Sequence, residues 1–342
     1  DRFGRPELPP IDLVDMRREQ VPAGRWLAEP VADAVAATIA AGSQALLFLN
    51  RRGYAPLTLC RACGQRLECR NCSAWLVEHR FRKQLLCHHC GHNEPVPSAC
   101  PGCQAEGSLT PCGPGVERLA EEAAVRFPGA RTVILSSDLM SGASLRSTLG
   151  DIAGGRYDLV IGTQLVAKGH HFPHLTLACV VDGDLVLETS DPRAGERTWQ
   201  LLAQVAGRAG RGDNPGRALV QTFVPDHPLM RAIKAGDRDG FLEREKRTRE
   251  AAGLPPYGRL AALIVSGPHQ AETERFARTL ARRAPAAEAI QLLGPAPAPL
   301  HLVRGRYRWR FLLKAPRSID LQGYLAAWLA TERPRGSLRV QV

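Results

Sequence analysis

Several features that define other protein classes are missing from these 342 residues. No apolar run approaches the length of about 18 residues that a membrane-spanning helix needs, and no N-terminal stretch resembles a secretory signal. None of the five lysines follows a glycine, so the sequence contains no Gly-Lys-Ser/Thr loop of the kind that cradles nucleotide phosphates. We therefore expect a soluble protein without a membrane association, whose chain has no phosphate-binding loop of this type.

Lysine is scarce, yet the chain is strongly basic. There are 45 basic residues against 34 acidic ones, and the formal net charge is +11. Such an excess favours an anionic partner, of which nucleic acid is the commonest for a soluble protein. A GC-rich genome is the alternative explanation for arginine in place of lysine, but it explains the excess of positive charge less well.

Cysteine is absent from most of the chain and concentrated in one stretch. Nine of the ten cysteines fall between positions 60 and 112, and Cys179 stands alone in an apolar segment. Disulfide frameworks belong to small secreted domains, and nothing in this sequence suggests secretion. The cluster therefore predicts metal binding in a reducing cytoplasm.

Eight of the cysteines form four CxxC pairs, and two such pairs suffice to close one tetrahedral zinc site. Five residues separate the first pair from the second, too few for a zinc ribbon, whereas fourteen separate the second from the third. The spacing thus predicts two nested, structural Zn²⁺ sites. Their ligands are Cys60, Cys63, Cys100 and Cys103 for the first zinc, and Cys69, Cys72, Cys87 and Cys90 for the second. Three nearby histidines are alternative ligands, although the cysteines already suffice: His88, His89 and His92.

Outside this stretch, apolar strands alternate with amphipathic helices, a pattern typical of a parallel sheet covered on both faces. Strands are predicted at 45–49, 132–135, 159–162, 175–181 and 218–223, and helices at 30–41, 115–126, 144–153 and 193–209. The cysteine-rich stretch interrupts this alternation and is interpreted as an insertion into an α/β domain. The opening ten residues, rich in proline and charge, are interpreted as a linker or a cut site.

The C-terminal part has a different order of elements. A charged helix at 228–252 leads into Leu254–Tyr257, whose two prolines predict a stiff boundary. The order that follows is βαββαβ, with elements at 260–265, 271–283, 290–293, 308–313, 321–331 and 337–342, as in ferredoxin-like α+β domains. The chain is thus divided into a linker with the start of the α/β domain (1–59), a zinc-binding insertion (60–103), the rest of the α/β domain (104–252) and a terminal domain (253–342).

Two motifs in the α/β part point to nucleotide chemistry. One is a strand that runs into a loop with Gly162, Thr163, Gln164, Lys168 and Gly169; the other is a helix end with Gln204, Gly207, Arg208, Gly210 and Arg211. An arginine pair at a helix end can reach a phosphate across an interface, where a guanidinium stabilises the charge that develops in phosphoryl transfer. The second motif alone could be a solvated helix end, but its combination with the first favours the nucleotide.

These motifs resemble the second motor lobe of superfamily 2 helicases and, more closely, the replication-restart helicases of the primosomal protein N′ family. The resemblance covers essentially the whole chain. It is found in the four CxxC pairs and in the stretches Val14–Glu19, Leu49–Cys60, Ile161–Pro173, Arg193–Arg211 and Leu254–Gly258. Two departures are Asp182-Gly183-Asp184 in place of a more acidic stretch and Pro192 in place of an aromatic residue.

The resemblance implies a RecA-like lobe of an ATP-dependent 3′–5′ DNA helicase that remodels stalled or branched replication forks to restart replication. It also implies nested zincs and a zinc module and terminal domain that grip DNA. ATP and Mg²⁺ would be held by a first lobe that is not in this sequence, so the chain is interpreted as a C-terminal part that is inactive alone. Forked or single-stranded DNA, single-strand-binding protein and primosome components are the implied partners, in a cytoplasmic, nucleoid-associated location.

The same resemblance implies roles for individual residues. Arg208 and Arg211 would act on the γ-phosphate, and Gln204 would position them. Gly207, Gly210, Lys168 and Gly169 would line the nucleotide, while Thr163, Gln164 and Lys168 would contact the DNA backbone and couple it to the nucleotide. The rival hypothesis is a non-catalytic zinc-ribbon adaptor that binds DNA or protein and needs no ATP.

A basic stretch in the terminal domain is a candidate DNA contact. Arg304, Arg306, Arg308 and Arg310 alternate with Tyr307 and Trp309. On a strand this spacing puts the arginines on one face and the aromatic rings on the other, where the rings can pack inward. The alternative is a basic surface hairpin that binds no ligand.

Overall fold

The structure is a computed structural model. It describes residues 8–22, 25–49, 57–60, 62–63, 65, 67–70, 76–79, 84–87, 92–112, 115–136, 142–167, 170–184, 187, 193–210 and 214–342. The chain forms two compact units, one of Asp1–Ala55 with Gly113–Glu245 (the lobe) and one of Pro56–Cys112 with Lys246–Val342 (the zinc–terminal unit). The four-part domain division predicted from the sequence stays a prediction. Across the described ranges, no helix has both the length and the apolar character needed to cross a membrane.

Strands and helices alternate along much of the described chain. The strands are β1 Ile11–Asp15, β2 Gln44–Phe48, β3 Leu57–Cys60, β4 Val77–His79, β5 Gln84–Leu86, β6 Asn93–Pro95, β7 Leu109–Cys112, β8 Thr132–Leu135, β9 Leu159–Gly162, β10 Leu175–Val180, β11 Arg217–Thr222, β12 Gly258–Gly267, β13 Gln291–Val303, β14 Arg306–Pro316 and β15 Arg339–Gln341. The helices are α1 Glu29–Ala40, α2 Val116–Arg126, α3 Gly142–Ala153, α4 Gln164–Ala167, α5 Ala194–Ala206, α6 Pro228–Lys234, α7 Arg238–Ala251, α8 Gln270–Arg282 and α9 Leu321–Thr331.

The lobe is built on a six-stranded sheet in the order β1-β11-β10-β2-β9-β8. Every neighbouring pair in it is parallel. Successive residues of β2 enter opposite cores: Leu46 and Phe48 pack with α3, α5 and α6 on one face, and Leu47 packs with α1 and α2 on the other. A strand buried on both faces must be apolar throughout, which explains the unbroken apolar runs in the sequence. The α/β fold predicted for this part, a parallel sheet covered on both faces, is confirmed.

The structure adds one element to the lobe and corrects another. Directly after the opening ten residues, where no element was predicted, strand β1 pairs in parallel with β11 from Ile11↔Ala218 to Asp15↔Thr222. The long charged helix is two helices, α6 and α7. Gly236 between them has a φ of +66°, which an α-helix does not allow. The carboxylate of Asp237 then accepts the N–H of Gly240 at 2.8 Å, which caps the start of α7.

The terminal domain is a four-stranded antiparallel sheet in the order β13-β14-β12-β15. One face of the sheet is covered by α8 and α9, whose Leu280 and Trp328 pack on Val265, Phe311 and Leu313. The βαββαβ order and the ferredoxin-like topology agree with the prediction. The hairpin is longer than predicted, because β13 continues past cis-Pro295 to Val303. Prolines are tolerated there since β13 is an edge strand and needs hydrogen bonds on one side only.

Candidate functional site

The outer cysteines are brought together by a short antiparallel pair of strands. Strand β3 ends at Cys60, which pairs with Leu109 of β7. The fourth CxxC turn lies just before β7 and is closed by a bridge between Ala99 and Glu106. The local fold thus places the first and the fourth CxxC turns side by side.

The four outer sulfurs form a compact cluster. The Sγ atoms of Cys60, Cys63, Cys100 and Cys103 all lie within 4.8 Å of one another. The Cys60–Cys103 distance is 3.6 Å and the Cys63–Cys100 distance is 3.8 Å. A tetrahedron of thiolates with a Zn–S bond of about 2.3 Å has sulfur–sulfur edges of roughly 3.8 Å. The spacing of these residues therefore fits one zinc ion with four cysteine ligands.

The electrostatics of the cluster also favour a cation. The Ser108 hydroxyl, with main-chain N–H groups of Cys63 and Ala62, lowers the pKa of Cys60 to about 6 against the effect of burial. The main-chain N–H of Gln65 lowers the pKa of Cys63, but the neighbouring sulfurs and burial outweigh it and raise that pKa to about 12. One thiolate is thus stabilised and a second is opposed, because like charges at this distance repel. A divalent cation removes that conflict.

The inner site is described in part. Cys69 and Cys87 are buried and belong to a small apolar cluster with Leu67, Leu76 and Leu85. The main-chain N–H of Cys87 donates to the carbonyl of His92 at 2.8 Å. The remaining predicted ligands Cys72 and Cys90, with His88 and His89, lie outside the described residues. The ring Nε2 of His92 lies 3.1 Å from the carboxylate of Glu94, so this histidine has a partner other than a cysteine.

The first lobe motif begins where β9 ends. Gly162 is required there, since a Cβ on it would lie 2.0 Å from Cγ2 of Val166. Thr163 is buried; its N–H donates to the carbonyl of Leu135, and its own carbonyl accepts the N–H of Val166 as α4 begins. Gln164, the first residue of α4, is half-buried. Lys168 and Gly169 lie outside the described residues.

The second lobe motif lies at the end of α5. Gly207 is its C-cap, and Gly210, with a φ of +71°, lies so close to Gly216 that a Cβ would be 2.4 Å from the Gly216 nitrogen. Gln204 is exposed on the last turn of α5. Arg208 is only 6% exposed. The close backbone contact gives Gly210 a structural reason to be glycine, beside its predicted place near a nucleotide. Arg211 lies outside the described residues.

The structure joins these two motifs through one side chain. Nη1 of Arg208 donates to the main-chain carbonyl of His170, in the loop that follows β9 and α4. Burial, and then the charge of Arg208, lower the pKa of His170, which favours a neutral ring. Sequence reasoning did not single out His170, because its role depends on a carbonyl that every residue has. Its position in the Ile161–Pro173 stretch was the only available signal.

The basic stretch of the terminal domain is a tight β-hairpin. Val303 pairs with Arg306, so Arg304 and Gly305 form a two-residue turn, with φ values of 49° and 71° that are typical of type I′. Along β14, Trp309 is buried and packs inward as expected, while Arg308 is half-buried and Arg304 at the turn is exposed. The predicted alternation of arginines and inward-packed rings holds at Trp309.

Arg306 stands apart from the other arginines. Its Nη2 donates to the carbonyl of Ser266 at 2.8 Å and to that of Ser337 at 2.6 Å. Two hydrogen bonds to main-chain carbonyls give this guanidinium a structural role within the terminal domain. Of the arginines predicted to contact DNA, Arg304 and Arg308 are therefore the better candidates.

Comparison with known proteins identifies the family. A family model for the primosomal protein N C-terminal domain matches residues 250–342, and one for the Cys-rich region of the PriA DNA helicase matches residues 69–95. Replication restart protein PriA of Rickettsia typhi is 43% identical over 331 residues, 96% of this chain and 51% of that protein. The Bacillus subtilis protein of the same name is 36% identical over 322 residues, 93% of this chain and 40% of that protein.

A third relative, replication restart protein PriA of Haemophilus influenzae, is 36% identical over 328 residues, 95% of this chain and 44% of that protein. The chain thus spans about half the length, or less, of these relatives. The second family model extends over all four predicted inner ligands, from Cys69 to Cys90. By the matches of its Cys-rich region and its terminal domain, and by its identity to replication restart proteins over most of its length, this chain belongs to the PriA family.

Proposed function

We propose that this chain is the DNA-gripping and nucleotide-sensing part of an ATP-dependent DNA helicase. The helicase moves 3′ to 5′ and remodels stalled or branched forks so that replication restarts. ATP and Mg²⁺ are held by a phosphate-binding lobe outside these 342 residues. The arginines at the end of α5 stabilise the γ-phosphate, and the loop after β9 contacts the DNA backbone.

The observation that supports this proposal best is the hydrogen bond from Arg208 to the carbonyl of His170. This hydrogen bond joins the helix end that we assign to the nucleotide with the loop that we assign to DNA. A movement of the helix end would therefore displace the loop, and a movement of the loop would displace the helix end. An arginine binds a phosphate more strongly than a carbonyl, because both groups are then charged. Gln204, on the last turn of the same helix, positions the arginines from the exposed side.

The zinc–terminal unit provides the grip on DNA. Two structural zincs hold the cysteine-rich module, the outer one on Cys60, Cys63, Cys100 and Cys103 and the inner one on Cys69, Cys72, Cys87 and Cys90. Arg304 and Arg308 contact phosphates without reading sequence, as suits a motor. Single-strand-binding protein and primosome components are partners of the whole enzyme, which acts in the cytoplasm at the nucleoid.

The proposal is tested by comparing this chain with the full-length polypeptide that we propose. On a forked oligonucleotide the full-length polypeptide should unwind the duplex in the 3′–5′ direction with ATP and not with a non-hydrolysable analogue. This chain alone should bind the fork without hydrolysing ATP. If the full-length polypeptide bound forks and zinc but turned over no ATP with DNA present, the zinc-ribbon adaptor would replace the helicase as the function.

A further inference from the structure

One contact in the zinc–terminal unit joins residues that are far apart in sequence. The buried residues Leu67, Cys69, Leu76, Leu85 and Cys87 form the apolar core of the cysteine-rich module, which we call the inner cluster. The module's own Val96 and Leu109 pack against it from the edge. Val303, the last residue of β13 in the terminal domain, packs against the same cluster. The terminal domain therefore supplies part of the apolar cover of the module.

Val303 is held in place by the hairpin that contains it. The turn at Arg304 and Gly305 fixes the position of Val303 relative to β14, because only two residues lie between the paired Val303 and Arg306. Arg306 in turn is bound to the carbonyls of Ser266 and Ser337, which lie at the far end of β12 and just before β15. Val303, whose side chain contacts the module, thus belongs to a hairpin that hydrogen bonds hold to the rest of the terminal domain.

The cluster that Val303 covers includes two of the inner zinc ligands. Apolar groups around a zinc–thiolate site limit the access of water and of competing ligands, and changes to residues that hydrogen-bond to metal ligands typically weaken metal binding by about 10- to 100-fold. We propose that Val303 seals the inner zinc site, so that the inner zinc and the terminal hairpin stabilise each other. This inference depends on the second zinc of the proposed function.

The consequence for function concerns the turn itself. Since Arg304 follows Val303 directly, sealing the inner site also holds the exposed Arg304 guanidinium beside the cysteine-rich module. Loss of the inner zinc would loosen the hairpin, while the terminal domain keeps its own fold through the packing of α8 and α9 on its sheet.

The first test measures zinc release from the purified 342-residue protein into excess chelator with a colorimetric zinc indicator. Val303→Asp places a carboxylate against the inner cluster, and we expect one of the two zincs to leave about tenfold faster or more. The other zinc should leave at the wild-type rate. Leu293→Asp is the matched control, because Leu293 lies on the same strand, is 47% exposed and should tolerate the charge. Release from Val303→Asp within twofold of wild type would overturn the sealing role.

The second test runs in the opposite direction and keeps Val303 intact. Amide hydrogen exchange is followed in a peptide spanning 301–308 of Cys69→Ser, which loses the inner site, and of Cys103→Ser, which loses the outer one. We expect faster exchange in the hairpin of Cys69→Ser and wild-type exchange in that of Cys103→Ser. Equal exchange in the two variants would overturn the coupling. Wild-type protein with one zinc would instead overturn the two-zinc proposal, which is visible before any variant is compared.

Discussion

The guanidinium of Arg208 donates to the main-chain carbonyl of His170, across 38 residues of sequence. Arg208 belongs to the second lobe motif, and His170 directly follows Gly169, the last residue of the first lobe motif. Both residues lie close to the start of β10: the N–H of Gly210, just after α5, donates to the carbonyl of Leu175, the first residue of β10, and His170 lies five residues before Leu175.

The zinc proposal predicts a definite stoichiometry. Protein purified without added metal should contain close to two zinc atoms per chain by elemental analysis, since eight cysteines in four pairs provide two complete tetrahedra. Cys69→Ser should leave about one zinc, bound at the outer site. Cys103→Ser should also leave about one, bound at the inner site. Wild-type protein with one zinc, or with iron, would contradict this account of the module.

The terminal hairpin should bind DNA through phosphates. Arg304→Ala and Arg308→Ala should each reduce the slope of log affinity against log salt by about one unit on a forked oligonucleotide, because each arginine displaces about one counterion. Arg282→Ala is the matched control. Arg282 is exposed at the end of α8, one of the two helices that cover a face of the sheet, and is not part of the hairpin. Slopes of the two hairpin variants equal to that of the control would show that the hairpin takes no part in binding.

Arg306 should behave differently from its neighbours. Its two hydrogen bonds to the Ser266 and Ser337 carbonyls hold β14 to β12 and to the segment before β15. Arg306→Ala should therefore lower the free energy of unfolding by about 1–3 kcal/mol, as expected for hydrogen bonds from a charged group. Urea unfolding of the variant measures this. A stability within about 0.5 kcal/mol of wild type, the usual range for surface substitutions, would contradict the structural role.

The order of elements was predictable wherever the buried residues of a helix or strand recur at regular spacing in the sequence. Strand β9 and helix α9 have the predicted bounds, because β9 is buried throughout and α9 has an apolar face bounded by Asp320, which caps it. Strand β1 was missed, since it is a short edge strand defined by its pairing with β11 rather than by its own composition. The division between α6 and α7 was missed because a glycine is tolerated inside many helices. Gly236 ends α6 only because its φ is positive, and the sequence does not show this.

The candidate site was predictable to the extent that chemistry fixes spacing. Four CxxC pairs predict nested zinc sites, because a tetrahedron admits few pairings along a chain, and the structure brings Cys60 and Cys103 within 3.6 Å. Contacts to main-chain groups leave no residue pattern in the sequence, because every residue has these groups. The bonds of Arg306 to carbonyls, the bond of Arg208 to His170 and the packing of Val303 on the inner cluster depend on tertiary placement, so a one-dimensional pattern cannot predict them.

We propose that Arg208 acts on a nucleotide held by another lobe. The most direct test of this proposal is DNA-dependent ATP hydrolysis by the full-length polypeptide with Arg208→Ala. An arginine that stabilises the transferred phosphoryl group typically contributes on the order of 10³-fold or more to the rate. ATP affinity should change far less, since the charge develops mainly in the transition state. Arg197→Ala, which removes an exposed arginine from the same helix, is the control and should keep the wild-type rate.

Zinc content, DNA binding and thermal stability are measured on the same samples, so that a folding defect from the lost bond to His170 is recognised. We expect the Arg208→Ala variant to keep its zinc and its DNA affinity, while its DNA-dependent ATP turnover falls by about three orders of magnitude. A folded variant whose turnover stayed within about twofold of wild type, a change of less than about 0.5 kcal/mol in the barrier, would contradict the claim.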